Sequence, residues 1–195
     1  MDNEYIERLR KQVKKALKMD KKRYRHTLGV ADTAACLAMR YGADVEKAYI
    51  AGLLHDCAKC VPDDIKIKEC QEHGIEITES EAVGPYLLHA KLGALYARIY
   101  YGIEDEEILS AIRFHTTGRA NMTELEEIVF IADYIEPYRN QASDLNVVRA
   151  ESFTDIRKAI LTVTFDTLEY LKRKGKAIDP VTVETYEFYK DTQNN

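Results

Sequence analysis

Three observations predict an all-α fold. Nearly every segment carries apolar residues at helical spacing. No run alternates cleanly between apolar and polar residues, and Gly or Pro falls between apolar blocks rather than inside them. The chain has 195 residues, 46% of them hydrophobic and 31% charged, which suits one globular domain, spanning 1–195, with a sizeable core. Short connections between the apolar blocks point to a helical bundle.

Helices are expected at about 3–18, 20–41, 44–58, 62–73, 80–84, 86–101, 105–116, 123–137, 146–174 and 180–190. Gly42 closes the second and Asp44 caps the third; Pro62 suits the first turn of the fourth, and Gly74 ends it. Gly102 ends the 86–101 helix, Gly175 ends the long helix over 146–174, and Asp179-Pro180 opens the last. The acidic runs Glu104–Glu107 and Glu124–Glu127 open two helices, where they complement the helix dipole.

Composition excludes several classes. No run of 18 apolar residues exists, so no membrane span is expected. The charged N-terminus lacks an apolar signal core, and Cys36, Cys57, Cys60 and Cys70 read as reduced thiols, so a cytoplasmic location is expected. A net charge of −5 argues against a nucleic-acid partner. The charge is nonetheless uneven: residues 8–25 carry ten Lys or Arg against one acid, Asp20. That stretch is either a solvated helix face or a positive mouth for a polyphosphate.

Four of the five histidines sit on or at the end of apolar helices: His26, His55, His89 and His115. His26 shares a face with Val30, Ala34 and Leu37; His115 follows Ile108, Ala111 and Ile112; Asp133 lies one turn after Val129. His55 and Asp56 are adjacent, with the small Ala51 and Gly52 one turn behind. A buried imidazole or carboxylate is costly unless paired. Any one of these groups alone reads as a hydrogen-bonded core residue. Together they can satisfy each other around a shared cation, and mixed nitrogen and oxygen donors suit iron, manganese, zinc or nickel rather than calcium or magnesium.

The order His26, His55-Asp56, Asp133 resembles the metal signature of the HD-domain phosphohydrolases. The blocks R-H-T-L-G-V-A-D-T-A, G-L-L-H-D-C-A-K, G-P-Y-L-L-H-A-K-L-G-A, F-H-T-T-G-R and I-A-D-Y-I-E-P-Y-R extend the likeness to the bacterial branch of symmetrical diadenosine tetraphosphate hydrolases. The resemblance runs from about residue 20 to the I-D-P near residue 180. It implies a single HD-domain helical bundle, with the metal-binding core over about 20–140 and the helices of 146–190 completing it. It also implies that His26, His55, Asp56 and Asp133 bind a divalent metal, iron by expectation. His89 and His115 would complete a second metal site or hold phosphate, with Asp56 as the bridge. The implied partner is a dinucleoside polyphosphate or an ADP-like nucleotide, and the implied reaction cuts diadenosine tetraphosphate in the middle to two ADP. Other HD phosphohydrolase substrates, namely deoxynucleotides or guanosine alarmones, stand as the alternative, as does a non-catalytic nucleotide sensor.

Elementary chemistry agrees with such a reaction. A divalent ion lowers the pKa of water from about 15.7 to about 7. Charge developing on phosphoryl oxygens needs positive donors. Lys59 is one helical turn after Asp56; Arg139 follows Asp133 just past Pro137; Arg23 and Arg25 flank His26. Catalytic roles are therefore expected for Asp56, Lys59 and Asp133, and phosphate contacts from Arg23, Lys59, His89, His115, Thr116, Arg139 and Lys176. Thr116 and Thr117, which follow His115, either donate to phosphate or simply cap the helix end. The C-A-K-C of Cys57–Cys60 overlaps the His-Asp block and lacks any βαβ context, so it reads as structural, as does His73. Thirteen tyrosines and no tryptophan leave a homodimer interface or a base-stacking wall open, with Tyr96, Tyr100 and Tyr101 read first as core or rim.

Overall fold

The computed structural model describes residues 3–140 and 144–193. Its described residues form eleven α-helices, one 3-10 turn and no strand. The helices are α1 (Asn3–Ala16), α2 (Lys21–Tyr41), α3 (Val45–Leu54), α4 (Asp63–Glu72), α5 (Glu79–Val83), α6 (His89–Tyr101), α7 (Glu106–Phe114), α8 (Glu124–Ile135), α9 (Leu145–Ser152), α10 (Ile156–Lys174) and α11 (Pro180–Gln193). The 3-10 turn, Pro85–Leu88, leads into α6. No helix is long and apolar enough to cross a membrane among the described residues.

Helix α2 starts where the Asp20 side chain accepts from the Arg23 amide at 2.8 Å. It packs most heavily on α3, and small residues set how close the two come. A Cβ added at Gly52 would lie 2.9 Å from the Ala31 Cα and 3.1 Å from the Val30 carbonyl oxygen. This near-contact of backbones brings the start of α2 and the end of α3 together. The shared core runs from Ile6, Leu9 and Val13 of α1 through α2, α3, α7 and α8 to Ile160 and Tyr189 near the C-terminus.

Three expected helices differ from what forms, and the one expected over 86–101 is a 3-10 turn up to Leu88 and α-helical only from His89. The helix expected over 44–58 stops at Leu54, because the next residues take tighter bonds: Cys57 N donates to Leu54 O at 3.0 Å and Lys59 N to Asp56 O at 2.9 Å. That turn re-aims His55, Asp56 and Lys59. The helix expected over 146–174 is two helices, α9 and α10. Asp155 ends the continuity by capping α10, accepting from Lys158 N at 3.0 Å. The break lets α9 fold back so that Arg149 donates to the Ile135, Glu136 and Arg139 carbonyls at 2.9, 3.0 and 2.9 Å. Arg149 thereby fixes the end of α8 and the chain just beyond it.

Candidate metal centre

Four imidazoles and two carboxylates from five places in the sequence converge where α2, the turn after α3, α6, the end of α7 and α8 meet. His26 Nε2 lies 2.9 Å from Asp133 Oδ1, and His55 Nε2 lies 3.3 Å from Asp56 Oδ2 and 3.8 Å from Asp133 Oδ1. His89 Nε2 and His115 Nε2 lie 3.2 and 3.7 Å from the other Asp56 oxygen, Oδ1. Asp56 therefore faces one histidine pair with each oxygen. His55, Asp56, His89 and His115 are buried.

The far nitrogen of every ring is tied down. His55 Nδ1 meets the Gly52 carbonyl at 2.6 Å, His89 Nδ1 the Tyr86 carbonyl at 2.6 Å, and His115 Nδ1 the Ile112 carbonyl at 2.7 Å. His26 Nδ1 meets Glu136 Oε1 at 3.0 Å. Carbonyl and carboxylate oxygens accept only, so each Nδ1 carries the proton and donates. Each Nε2 then turns a lone pair inward. Carbonyl- or carboxylate-held imidazole is the usual arrangement of a metal ligand.

The unpaired atoms fit a cation. Among the described residues, His26 Nε2, His55 Nε2 and Asp56 Oδ1 are buried with no hydrogen-bond partner. His89 and His115 set two Nε2 atoms 3.1 Å apart, each an acceptor in this tautomer. Two groups have one ligand atom per residue within 4.8 Å of one another: His26, His55 and Asp56, and Asp56, His89 and His115. Uncompensated polar atoms of this kind are costly when buried. A nitrogen-rich donor set with carboxylate suits a transition ion rather than calcium or magnesium.

Electrostatics point the same way for Asp56, Asp133, His89 and His115. Burial alone would raise the Asp56 carboxyl, but His55, His115 and His89 hold it well below the usual carboxylate range. Asp133 is likewise held low against its burial, by Arg139 and His26. Burial pulls His89 down to about 4 and lowers His115, which keeps both rings neutral at neutral pH. His55 goes the other way: burial lowers it, and the Asp56 and Asp133 carboxylates more than offset that.

Positive groups line one side. Arg23 Nη1 donates to Asp56 Oδ2 at 2.8 Å, and Arg139 grips Asp133 through its side-chain and carbonyl oxygens, both at 2.8 Å. Lys59 Nζ sits 3.1 Å from His89 Nε2 and 3.8 Å from Asp56 Oδ1, its pKa lowered by burial. Thr116 Oγ1 is 3.0 Å from His115 Nε2 and 3.3 Å from His89 Nε2. A cleft of about 600 Å³ opens beside His26, with Arg23, Arg25, Tyr138 and Arg139 in its walls. The Arg25 guanidinium stacks on the Tyr138 ring, 3.8 Å from its centroid.

Two expected phosphate contacts lie apart from the cluster. Lys176 follows the end of α10, exposed, with its ammonium 5.9 Å from the Tyr170 centroid, and it lines no part of the cleft. Thr117 turns away, its hydroxyl donating to the Gly118 carbonyl and its own carbonyl accepting from Thr185. One residue absent from the expected set belongs here. Glu136 is 1% exposed, holds His26 with one carboxylate oxygen and accepts from the Tyr138 amide at 2.7 Å with the other. Gly29 makes room for it, since a Cβ there would collide with Glu136 Oε2. The available signal was spacing: Glu136 is one helical turn after Asp133.

Comparison with known proteins places this geometry among relatives. The HD domain family profile matches residues 23–138. A protein of Halalkalibacterium halodurans named symmetrical bis(5'-nucleosyl)-tetraphosphatase is 45% identical over 164 residues, covering 84% of this chain and 87% of the relative. A Bacillus subtilis protein of the same name is 39% identical over 166 residues, covering 85% and 88%. A crystal structure from Clostridium acetobutylicum, described as that of a predicted HD superfamily hydrolase involved in NAD metabolism, superposes with a TM-score of 0.92. It is 40% identical and covers 96% of this chain and 97% of its own.

Proposed function

The chain belongs to the HD-domain family, in its branch of symmetrical bis(5'-nucleosyl)-tetraphosphatases, and from that premise we propose that it hydrolyses diadenosine tetraphosphate symmetrically to two ADP. One observation carries the proposal beyond kinship: the four Nε2 atoms gather in two adjoining groups, one at each oxygen of Asp56, beside an arginine-lined cleft.

His26, His55, Asp56 and Asp133 would hold one divalent ion and Asp56, His89 and His115 a second. The ion we favour is iron, with manganese, zinc and nickel compatible with the same donors. Bound there, a divalent cation supplies Lewis acidity toward a phosphoryl oxygen and toward water.

The chain's own residues do the rest. In the reaction a water oxygen bonds to one inner phosphorus, and the oxygen bridging the two inner phosphates leaves with the second ADP. Arg23 and Arg139 already lie 2.8 Å from the ligand carboxylates, so a phosphate arriving beside those carboxylates meets both guanidinium groups. Lys59 Nζ and Thr116 Oγ1 sit at the His89–His115 side and can donate to phosphoryl oxygens. Lowered by burial, the Lys59 ammonium gives up a proton more readily than an exposed lysine and can supply it to the departing oxygen. Asp56 and Asp133 stay ionised and so present carboxylate oxygens to a cation.

Chromatography of the products tests the reading. Diadenosine tetraphosphate should give ADP alone, and chelation should abolish turnover. AMP plus ATP would overturn symmetric cleavage. Faster turnover of deoxynucleotides or guanosine alarmones across a nucleotide panel would reassign the substrate.

A further inference from the structure

The basic face of α1 plays no part in the centre described above, and it borders a second cavity. This cavity, about 540 Å³, lies between the end of α1, the turn after α3 and the last turns of α6. Tyr96, Tyr100 and Tyr101 form one wall and Cys57 part of the floor, with Lys15 and Lys18 also among its lining residues. Its volume lies within the roughly 300–1,000 Å³ usual for small-molecule sites.

Both components of a ligand can be read from the lining. Tyr96 and Tyr100 meet edge to face with centroids 4.9 Å apart, and the Tyr96 hydroxyl is anchored on Glu69 Oε2 at 2.7 Å. Tyr100 is 61% exposed, so the outer face of its ring is open to a ligand. An aromatic wall of this kind accepts a flat apolar body. Lys15 and Lys18 have no ion pair or side-chain hydrogen bond among the described residues, unlike Lys47, Lys66 and Lys91. Two unpaired ammonium groups beside that wall call for an anion.

We propose that this pocket binds a nucleoside phosphate, with the base against Tyr96 and Tyr100 and the phosphate against Lys15 and Lys18. Choosing a nucleoside phosphate among anionic aromatic molecules rests on the proposed function, whose substrate and product both have that chemistry. The turn after α3 links the pocket to the metal centre, since it supplies Asp56 to one and Cys57 and Cys60 to the other. Cys57 directly follows Asp56, and its thiol donates to the Gly93 carbonyl at 3.5 Å. Cys60 lines the pocket and lies within electrostatic reach of Asp20 and Arg23 of the first cleft. The ligand is therefore either the far half of the dinucleotide or a separate mononucleotide.

Calorimetric titration of ADP into the metal-loaded protein decides it. Wild type should bind two ADP per chain. The double variant Lys15→Glu with Lys18→Glu alters only exposed side chains and should bind one, with the other site weakened at least tenfold. Tyr100→Ala should weaken the same site. ADP uptake that the variants leave unchanged in number and affinity overturns the proposal, whether wild type binds one ADP or two. A second titration distinguishes the sources, using wild type saturated with a diadenosine tetraphosphate analogue carrying a methylene in place of the central bridging oxygen. No further ADP uptake assigns the pocket to the far half of the substrate; one further ADP assigns it to free nucleotide. Both titrations read binding alone, so their outcome stands apart from whether the protein hydrolyses diadenosine tetraphosphate.

Discussion

Glu136 shows how one side chain outside the ligand set governs the set. Its carboxylate accepts the hydrogen bond from His26 Nδ1 and so aims the Nε2 lone pair at the cluster. Glu136→Ala should lower metal affinity roughly 10–100-fold while leaving the helical circular-dichroism signal unchanged. Glu136→Gln keeps an oxygen acceptor and should recover much of that loss; equal affinity in all three proteins would remove Glu136 from this role. Lys59→Ala should leave the metal content intact and slow turnover on the order of 10²-fold, as loss of one transition-state donor does. The clustering of these His and Asp side chains was legible in the sequence because each inward His or Asp breaks an apolar stripe. Glu136 was not, because a glutamate before proline reads as an ordinary helix end. Lys176 was drawn in by a basic turn, and in the folded chain that turn sits over Tyr170.

Helices deliver these side chains only if they pack at the right separation. The α2–α3 crossing depends on Gly52, whose missing Cβ lets the Ala31 backbone approach. Gly52→Val should destabilise the fold by about 1–3 kcal/mol in urea titration, the usual cost of overpacking, and should weaken metal binding with it. A second element, α10, carries its own cost. Its Asp166 carboxyl is pushed up to about 7, first by burial and then by the Asp144 carboxylate. A carboxyl raised this way is protonated in the folded state where the unfolded chain has already ionised. Stability therefore falls as pH rises from about 4 to about 7, and the penalty persists above that. Asp166→Asn should raise the melting temperature at pH 8 and change it little below pH 4; a gain independent of pH would discard this explanation. Helix positions followed from apolar period and caps. The break between α9 and α10 did not, since the stripe continues across Thr154 and Asp155 and only the cap geometry of Asp155 reveals it.

At the scale of the whole molecule, folding and metal binding are one equilibrium. Five separate stretches, near residues 26, 56, 89, 115 and 133, meet only in the folded chain, so a cation bound there favours that chain over the unfolded one. Stripping the metal should lower the melting temperature, and returning it should restore the value; indifference to the chelator would leave the buried Nε2 atoms without a role. The all-α architecture was legible because its core is continuous from α1 to α11 and its connections are short. The second cavity was not, because it forms between the ends of α1 and α6, which are distant in sequence. The most direct test of the account is the metal-to-protein ratio, by elemental analysis, of purified wild type and Asp56→Ala. The account predicts two divalent ions per wild-type chain and loss of both in the variant, whose helical content stays unchanged. Metal retained at the wild-type ratio without the Asp56 carboxylate would contradict it.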